Sequence, residues 1–431
     1  MTLKEKLAGK IAAMREDLKK LAKDHAARVI SEVTVEQAYG GMRGIKSLVC
    51  DTSEVDNNRG LIIRERHISE LTEKTPEEIL WLLLTGELPD SEELKSLKAD
   101  MADRSAVPRY VWDVLKAMPK DSHPMTMLSA AILCMDKDSV FKKRYDEGMK
   151  KDVYWEPMLE DTLNLVARTP VIAAGIYRMR YGKGPLIESD NSLDMSANFA
   201  RMHGISDPDG KFADLMRLYL VLHSDHESGN VSAFTTHTVA SALSNLYYAV
   251  SAGLNGLAGP LHGLANQECL KWVLMVKDMF KGVPSDEQLH KFAWDTLQSG
   301  KVIPGYGHAV LRQTDPRFTA FMEFGKKICP DDQVFQIAEK TFKVVPPILV
   351  QQGKAKDPWP NVDAASGCLL WHFGMNEFDY YTVLFGVSRI MGISAQAVIS
   401  RAIGSPIVRP KSVTTRWIKG FVTKEAVTAK A

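Results

Sequence analysis

Apolar residues recur along this chain at intervals of three and four, and almost nowhere at two. That periodicity restricts the fold to packed helices. Leu3, Leu7, Ile11, Met14, Leu18 and Leu21 draw one stripe, with Lys and Glu between them, predicting an amphipathic helix docked on the body or on a partner subunit. Thr75-Pro76-Glu77-Glu78 supplies an N-cap, a first-turn proline and a capping-box glutamate, and Gly86 ends the apolar run that follows. Asp90-Ser91-Glu92-Glu93 opens another helix with Leu94, Leu97 and Met101 on one face. The same spacing joins Leu215, Leu218, Tyr219 and Leu222; Trp272, Met275, Val276 and Met279; and Val383, Leu384, Val387 and Met391. Period-two alternation is confined to Val49–Arg64, where a short hairpin is expected. No fixed repeat, low-complexity tract or linker interrupts the pattern, so the fold class is mainly α.

Length and charge narrow the function. A chain of 431 residues corresponds to two to three domains' worth of protein. Its 45% hydrophobic and 25% charged content suits a globular protein with a large core and excludes a mainly disordered chain. Lys+Arg 54 against Asp+Glu 53 leaves a net charge of +1, so no global field draws nucleic acid or an anionic membrane. Any anionic ligand must be held by locally placed Arg, Lys or backbone N–H groups. The five cysteines, Cys50, Cys134, Cys269, Cys329 and Cys368, are scattered and form no C-x-x-C, which fits a reducing compartment better than a disulfide framework or zinc ribbon. The strongest unbroken apolar run, Ile79 to Leu84, falls far short of the ~18 residues of a membrane span. Glu5, Glu16, Asp17 and Asp24 near the start argue against a secretory signal and weaken a transit-peptide reading. A soluble protein of the bacterial cytoplasm is expected, with the mitochondrial matrix as the alternative.

Three loop-like segments combine glycine, histidine and small residues in a way that a packed helix does not require. In Gly256–Glu268 the sequence GLAGPLHGLANQE permits tight turns and close approach of backbone to a ligand. His262 stands where a helix should begin, and the positive end of a helix favours a neutral imidazole; a structural turn histidine is the bland alternative. Val302–Arg312 reads VIPGYGHAVLR and is followed by Asp315-Pro316-Arg317. Glycines, His308 and two arginines there suit an anion pocket beside a polarising imidazole, against a plain tight turn with surface arginines. Gly353–Gly367 reads GKAKDPWPNVDAASG. Its Asp363, among small apolar neighbours, would lose hydration, rise in pKa and become a better base, whereas read blandly it is a helix N-cap.

His223-Ser224-Asp225-His226-Glu227 could supply metal ligands, but no third ligand, H-E-x-x-H or cysteine cluster accompanies it. Arg389 sits inside an apolar helix between Ser388 and Ile390, and a buried arginine needs an anion from protein or ligand. Arg409, in Val408-Arg409-Pro410-Lys411, is locally an ordinary surface residue. Two turn-borne histidines, one turn-borne aspartate and several arginines together suggest acid–base work on a polyanionic substrate. The spacing does not select the reaction.

LHGLANQE, PGYGHAVLR-x-TDPR, GKAK-x-PWPNVDA-x-SG and YYTVLFGVSR, in that order, resemble the citrate synthase family in its long, mitochondrial-like form. The likeness runs from Tyr39-Gly40-Gly41-Met42-Arg43-Gly44 to Arg409-Pro410-Lys411-Ser412. It implies the citrate synthase fold: a homodimer whose large helical domain comprises residues 1–263 and 375–431, with a smaller helical domain at 264–374. It also implies an acyltransferase that condenses acetyl-CoA with oxaloacetate and water to give citrate and CoA, with no cofactor and no metal. On the matching motifs, Asp363 takes a proton from the acetyl methyl, His262 hydrogen-bonds the thioester oxygen and His308 polarises the oxaloacetate carbonyl. His226, Arg317, Arg389 and Arg409 hold the oxaloacetate carboxylates, Arg409 from the other subunit. Arg43, Val302, Gly305, Gly307, Arg312, Lys354, Lys356 and Asn361 contact CoA.

Departures from the mitochondrial pattern are small: Ala365 and Phe234 stand where histidines are expected, and HSDHE continues as Ser228-Gly229 rather than Gly-Gly. Position 365 lies beside the base, so a 2-methylcitrate synthase acting on propionyl-CoA is the nearest rival, because one methylene is worth only ~1–3 kcal/mol of discrimination. A metal-dependent hydrolase or binding protein built on His223, His226 and Glu227 is the remote one.

Overall fold

The computed structural model describes residues 1–308 and 310–428. Nineteen α-helices and one three-stranded sheet occupy the described residues. Local signals set most boundaries. Thr75 caps Pro76–Thr85 through the expected reciprocal bonds with Glu78, and Gly86 closes that helix in the left-handed region at φ 78°. Asp90 and Glu93 form the same box before Ser91–Arg104. The first helix, Leu3–His25, buries Leu3, Leu7 and Ile11. Its stripe then leaves the body, so that Leu21 is 58% exposed.

Tyr381–Ile403 forms the centre. It packs along Trp155–Arg180 and against Pro76–Thr85, Lys211–Leu222, Val231–Ser241 and Leu246–Leu257. With its preceding turn it has a mean hydropathy of 1.5 over a stretch long enough to cross a membrane, yet 94% of that stretch is buried inside the protein. This segment, not Ile79–Leu84, is therefore the most extended apolar feature. Its scattered Ser, Thr, Gln and Arg residues break the unbroken run while leaving the mean hydropathy high.

The helices Ala265–Phe280, Asp286–Gln298, Gln333–Gln352 and Asp363–His372 pack chiefly on one another. On the first of these the core face is Cys269, Trp272, Val273 and Val276, while Met275 and Met279 are 45% and 54% exposed. Spacings of three and four fit both rows; tertiary contact selects the one carrying Trp272 and Val273.

The expected hairpin exists: β1 (Ser53–Asp56) pairs antiparallel with β2 (Gly60–Ile63), in register Ser53 to Ile63, and β3 (Arg66–His67) adds on β2.

Candidate active site

Four chain segments converge where the central helix passes the bend after Lys211–Leu222. Ser388 Oγ donates to the Leu220 carbonyl and the Gly392 N–H to the Ser224 carbonyl at 3.0 Å. A Cβ on Gly392 would lie 2.4 Å from Asp225 Oδ1, so only glycine permits this approach. The contact delivers Arg389, 2% exposed, beside the HSDHE bend. Arg389 Nε donates to the His223 carbonyl at 3.1 Å and Nη1 to Asn230 Oδ1 at 3.4 Å, and its guanidinium lies 4.8 Å from the Phe385 ring centre. Burial lowers its pKa to about 10, which leaves it cationic at neutral pH. Asp225 and Asp363 act on it through space, but its N–H groups bond only a carbonyl and an amide, which leaves donors for a ligand anion.

His262 lies three residues before Ala265–Phe280, as expected, but the helix terminus that touches it belongs to Val231–Ser241. The Ser232 N–H, in the first turn of that helix, donates to His262 Nε2 at 3.3 Å, with Ser232 Oγ 3.0 Å from the same atom. A backbone N–H can only donate, so Nε2 holds a lone pair and Nδ1 carries the proton. Burial, then Arg389, lowers the imidazole pKa to about 4.

His308 is fixed in the opposite sense. Its Nδ1 accepts from the N–H groups of Val310 and Leu311, both at 3.0 Å, leaving the proton on Nε2. Burial and Arg317 lower its pKa to about 4 as well. Its ring centre is 5.5 Å from that of His226, whose pKa burial and the two arginines push well below the ordinary 6.5. His262 and His308 are thus neutral N–H donors with their tautomers set by main chain.

Arg317, 3% exposed, is paired with Asp315, 0% exposed. Nη2 is 2.7 Å from Oδ2 and Nε 3.0 Å from Oδ1. Burial would raise the Asp315 carboxyl, yet Arg317 holds it below the ordinary value. Asp315 gave no signal of its own in the sequence beyond its place two residues before the arginine.

Asp363 is the first residue of Asp363–His372 and does not cap it; its N–H donates to Asn361 Oδ1 at 3.0 Å. No hydrogen bond to its carboxylate is present among the described residues. Burial raises its pKa from 3.8 to about 6, only partly offset by Arg317 and Arg389. Asn361 staples this base to the glycine loop: its N–H donates to the Gly305 carbonyl at 2.9 Å and its Nδ2 to the Gly307 carbonyl at 3.1 Å. Gly305, at φ +84°, lies so close to Ala364 that a Cβ would come within 3.0 Å of it. Asn361 therefore positions the base from beneath.

Beside His308 opens a cavity of about 390 Å³ lined by Val302, Ile303, Tyr306, Gly307, Lys354 and Lys356 among others. This collects four of the eight residues expected at CoA: Val302, Gly307, Lys354 and Lys356. Gly305 and Asn361 do not line it but brace its glycine loop through the Asn361 bonds to Gly305 and Gly307, and Arg43 and Arg312 are not collected. Arg43 is exposed in the turn after Val35–Tyr39, and exposed Arg312 folds back so that Nη1 donates to the Val310 carbonyl at 3.0 Å. Arg409 is exposed too and lines a separate cavity of about 480 Å³ with Val49, Phe234 and His237. The Arg312 side chain is turned by main-chain acceptors, which spacing does not encode.

The metal reading finds no support in the geometry. His223 Nδ1 lies 3.0 Å from the Tyr219 carbonyl while its ring stacks on Tyr219 at 4.2 Å. His226 faces His308 under the field of two arginines, which repels a cation.

A helical protein with neutral imidazole donors, a hydration-starved carboxylate and buried arginines over a basic cavity defines an acid–base enzyme for anionic substrates. The family model described as "Citrate synthase, C-terminal domain" matches residues 41–411. Mitochondrial citrate synthase of Saccharomyces cerevisiae is 49% identical over 98% of this chain and 90% of its own length. Mitochondrial 2-methylcitrate synthase of Yarrowia lipolytica is 48% identical over 96% and 91%. Among solved structures, citrate synthase from Pyrobaculum aerophilum superposes with a TM-score of 0.79 at 28% identity, covering 90% of this chain and 95% of that one. This chain belongs to the citrate synthase family.

Proposed function

We propose that the chain condenses acetyl-CoA with oxaloacetate and water to citrate and CoA, an acyl transfer in which the acyl group becomes alkyl. A methyl group beside a thioester is a very weak carbon acid, so base and electrophile must act together. Asp363 takes the methyl proton while the His262 Nδ1–H hydrogen-bonds the thioester oxygen that becomes the enol. The enol carbon then attacks the oxaloacetate ketone, whose oxygen receives the His308 Nε2–H. Water finally cleaves the thioester, releasing CoA and citrate. His226, Arg317 and Arg389 hold the oxaloacetate carboxylates, joined by Arg409 of a second copy in a homodimer. The cavity at Val302, Gly307, Lys354 and Lys356, its glycine loop braced by Gly305 and Asn361, takes CoA, and Arg43 and Arg312 reach its phosphates. The enzyme requires no cofactor or metal. Residues 264–374 form the small domain and the remainder the large one.

The observation that carries this reading is the pair of opposed tautomers: main-chain N–H groups hold both imidazoles neutral and leave one N–H on each to serve a carbonyl oxygen. The relatives described above as mitochondrial favour the matrix over a bacterial cytoplasm. Propionyl-CoA is the competing substrate, because a relative named for 2-methylcitrate is as similar as one named for citrate. Thiol release from acetyl-CoA and propionyl-CoA, each with and without oxaloacetate, decides. Oxaloacetate-dependent release favouring acetyl-CoA supports the proposal, and a propionyl preference assigns the pocket around Ala365 to the larger acyl group. No oxaloacetate-dependent release from either would refute both.

A further inference from the structure

The hairpin of β1 and β2 belongs to the only sheet among the described residues, and it ends on two different halves of the site. Its root holds the bend that carries His226. Thr52 Oγ1 and Ser53 Oγ both donate to Asp225 Oδ2, at 2.5 and 2.8 Å. The Glu227 N–H donates to Ser53 Oγ at 2.8 Å, on a residue strained to φ +50°. Gln396 of the central helix completes this anchor through Asp225 Oδ1 at 2.8 Å.

The tip holds the loop that carries Arg317. Asp56 Oδ1 accepts from the N–H groups of Asn58 and Arg59, and His67 Nε2 meets the Arg59 carbonyl at 2.6 Å, so the turn is rigid. The Asn57 carbonyl accepts the Arg312 N–H at 2.8 Å. Gly60, at φ +88°, lies flat against Pro316, whose Cγ and Cδ would be 2.5 and 2.6 Å from a Cβ at that position. Asp315 and Arg317 flank that proline, and Asp315 N–H donates to the Pro360 carbonyl at 3.1 Å, three residues before Asp363.

We infer that this hairpin is a positioning strut: pinned at Ser53 to the His226 bend and at Gly60 to the Pro316 turn, it sets the separation of the two groups of side chains that grip the dicarboxylate substrate. Gly60, Ser53 and Thr52 touch no substrate in this arrangement; they act through His226 and Arg317. Among the described residues the CoA cavity is lined by 297–308 and 349–357, none of which the strut holds; it meets the CoA side only through the Arg312 N–H, so its effect falls chiefly on oxaloacetate. The inference rests on the reading that oxaloacetate lies among His226, His308, Arg317 and Arg389.

The test measures binding of oxaloacetate alone and of CoA alone, by calorimetry, to the full-length protein. Gly60→Ala inserts a methyl group against Pro316 and should weaken oxaloacetate about ten-fold, the scale of a sub-ångström misplacement of binding groups, with CoA affinity changed less than two-fold. Pro316→Ala removes the two ring atoms in the way. In that background the clash is gone and only the strain of alanine at φ +88° remains, so the Gly60→Ala effect on oxaloacetate should shrink to about three-fold, a partial rescue that general destabilisation would not give. Ser53→Ala, at the other end, should reproduce the selective loss and decides the matter if Gly60→Ala does not fold. Unchanged oxaloacetate affinity in folded variants, equal loss of both ligands, or no rescue would overturn the strut. Wild-type protein that binds no oxaloacetate would instead refute the substrate reading on which it rests.

Discussion

Replacing Asp363 by Asn should make the protein more stable at the pH where it works, and the effect should fade in acid. Raising a carboxyl from its ordinary 3.8 to about 6 disfavours the charged form in the folded protein by up to ~3 kcal/mol. Asp363 is half-buried, with an edge toward solvent that screens part of this, so ~1–3 kcal/mol is expected. The sign follows from proton binding. Between pH 3.8 and 6 the folded state holds a proton that the unfolded state has lost, so wild-type stability falls as pH rises through that window and is flat above it. Asparagine mimics the protonated carboxyl and carries no such dependence. The advantage of Asp363→Asn should therefore be complete at pH 8, about half as large at pH 5 and absent below pH 4. Urea unfolding of both proteins at pH 5 and pH 8 measures it, and turnover of the variant should fall by ~10²–10⁴. Equal or lower stability of the variant at pH 8 would refute the argument that burial destabilises the Asp363 carboxylate and so strengthens it as a base.

The pH profile of kcat/KM should rise through about pH 6 as Asp363 ionises, with no further loss attributable to His262 or His308 above pH 5, since both are already neutral; a falling limb that disappears in a His308 variant would contradict this. Asp315→Ala strands Arg317 as a buried, uncompensated charge and should destabilise the fold by ~3–5 kcal/mol, read by chemical denaturation; a loss below about 1 kcal/mol would show that solvent reaches the guanidinium. Mixing inactive His262→Ala and Arg409→Ala proteins under subunit exchange should restore some activity if Arg409 acts across the dimer, and no recovery despite proven exchange would place it in its own subunit's site.

Much of the fold was legible because helix signals are local. Thr75 with Glu78, Asp90 with Glu93 and the glycine at 86 act within one turn of themselves, so their bonds form in whatever surroundings the helix meets. The inward face was less secure. Met275 and Met279 satisfy helical spacing as well as Cys269, Trp272 and Val276 do, and only packing against Gln333–Gln352 and Asp363–His372 separates the rows. The site shows the same division. His262, His308 and Asp363 stand in glycine-rich turns visible in the sequence, but their protonation comes from burial and from groups the spacing does not place beside them: Ser232 and Arg389 at His262, Arg317 and Arg389 at Asp363.

The order of side chains along this chain determined the helical class, the helix ends and which residues carry chemistry, because those follow from interactions within a few residues. Tertiary structure alone decided that Ser232 fixes the tautomer of His262, that Asp315 neutralises Arg317 while Arg389 keeps its charge for a ligand, and that a two-stranded hairpin touches both sides of the site. The first and the last join groups far apart in the chain, and the Asp315–Arg317 pair, two residues apart, matters because the fold buries both. Desolvation of that kind exists only once the chain has closed around it.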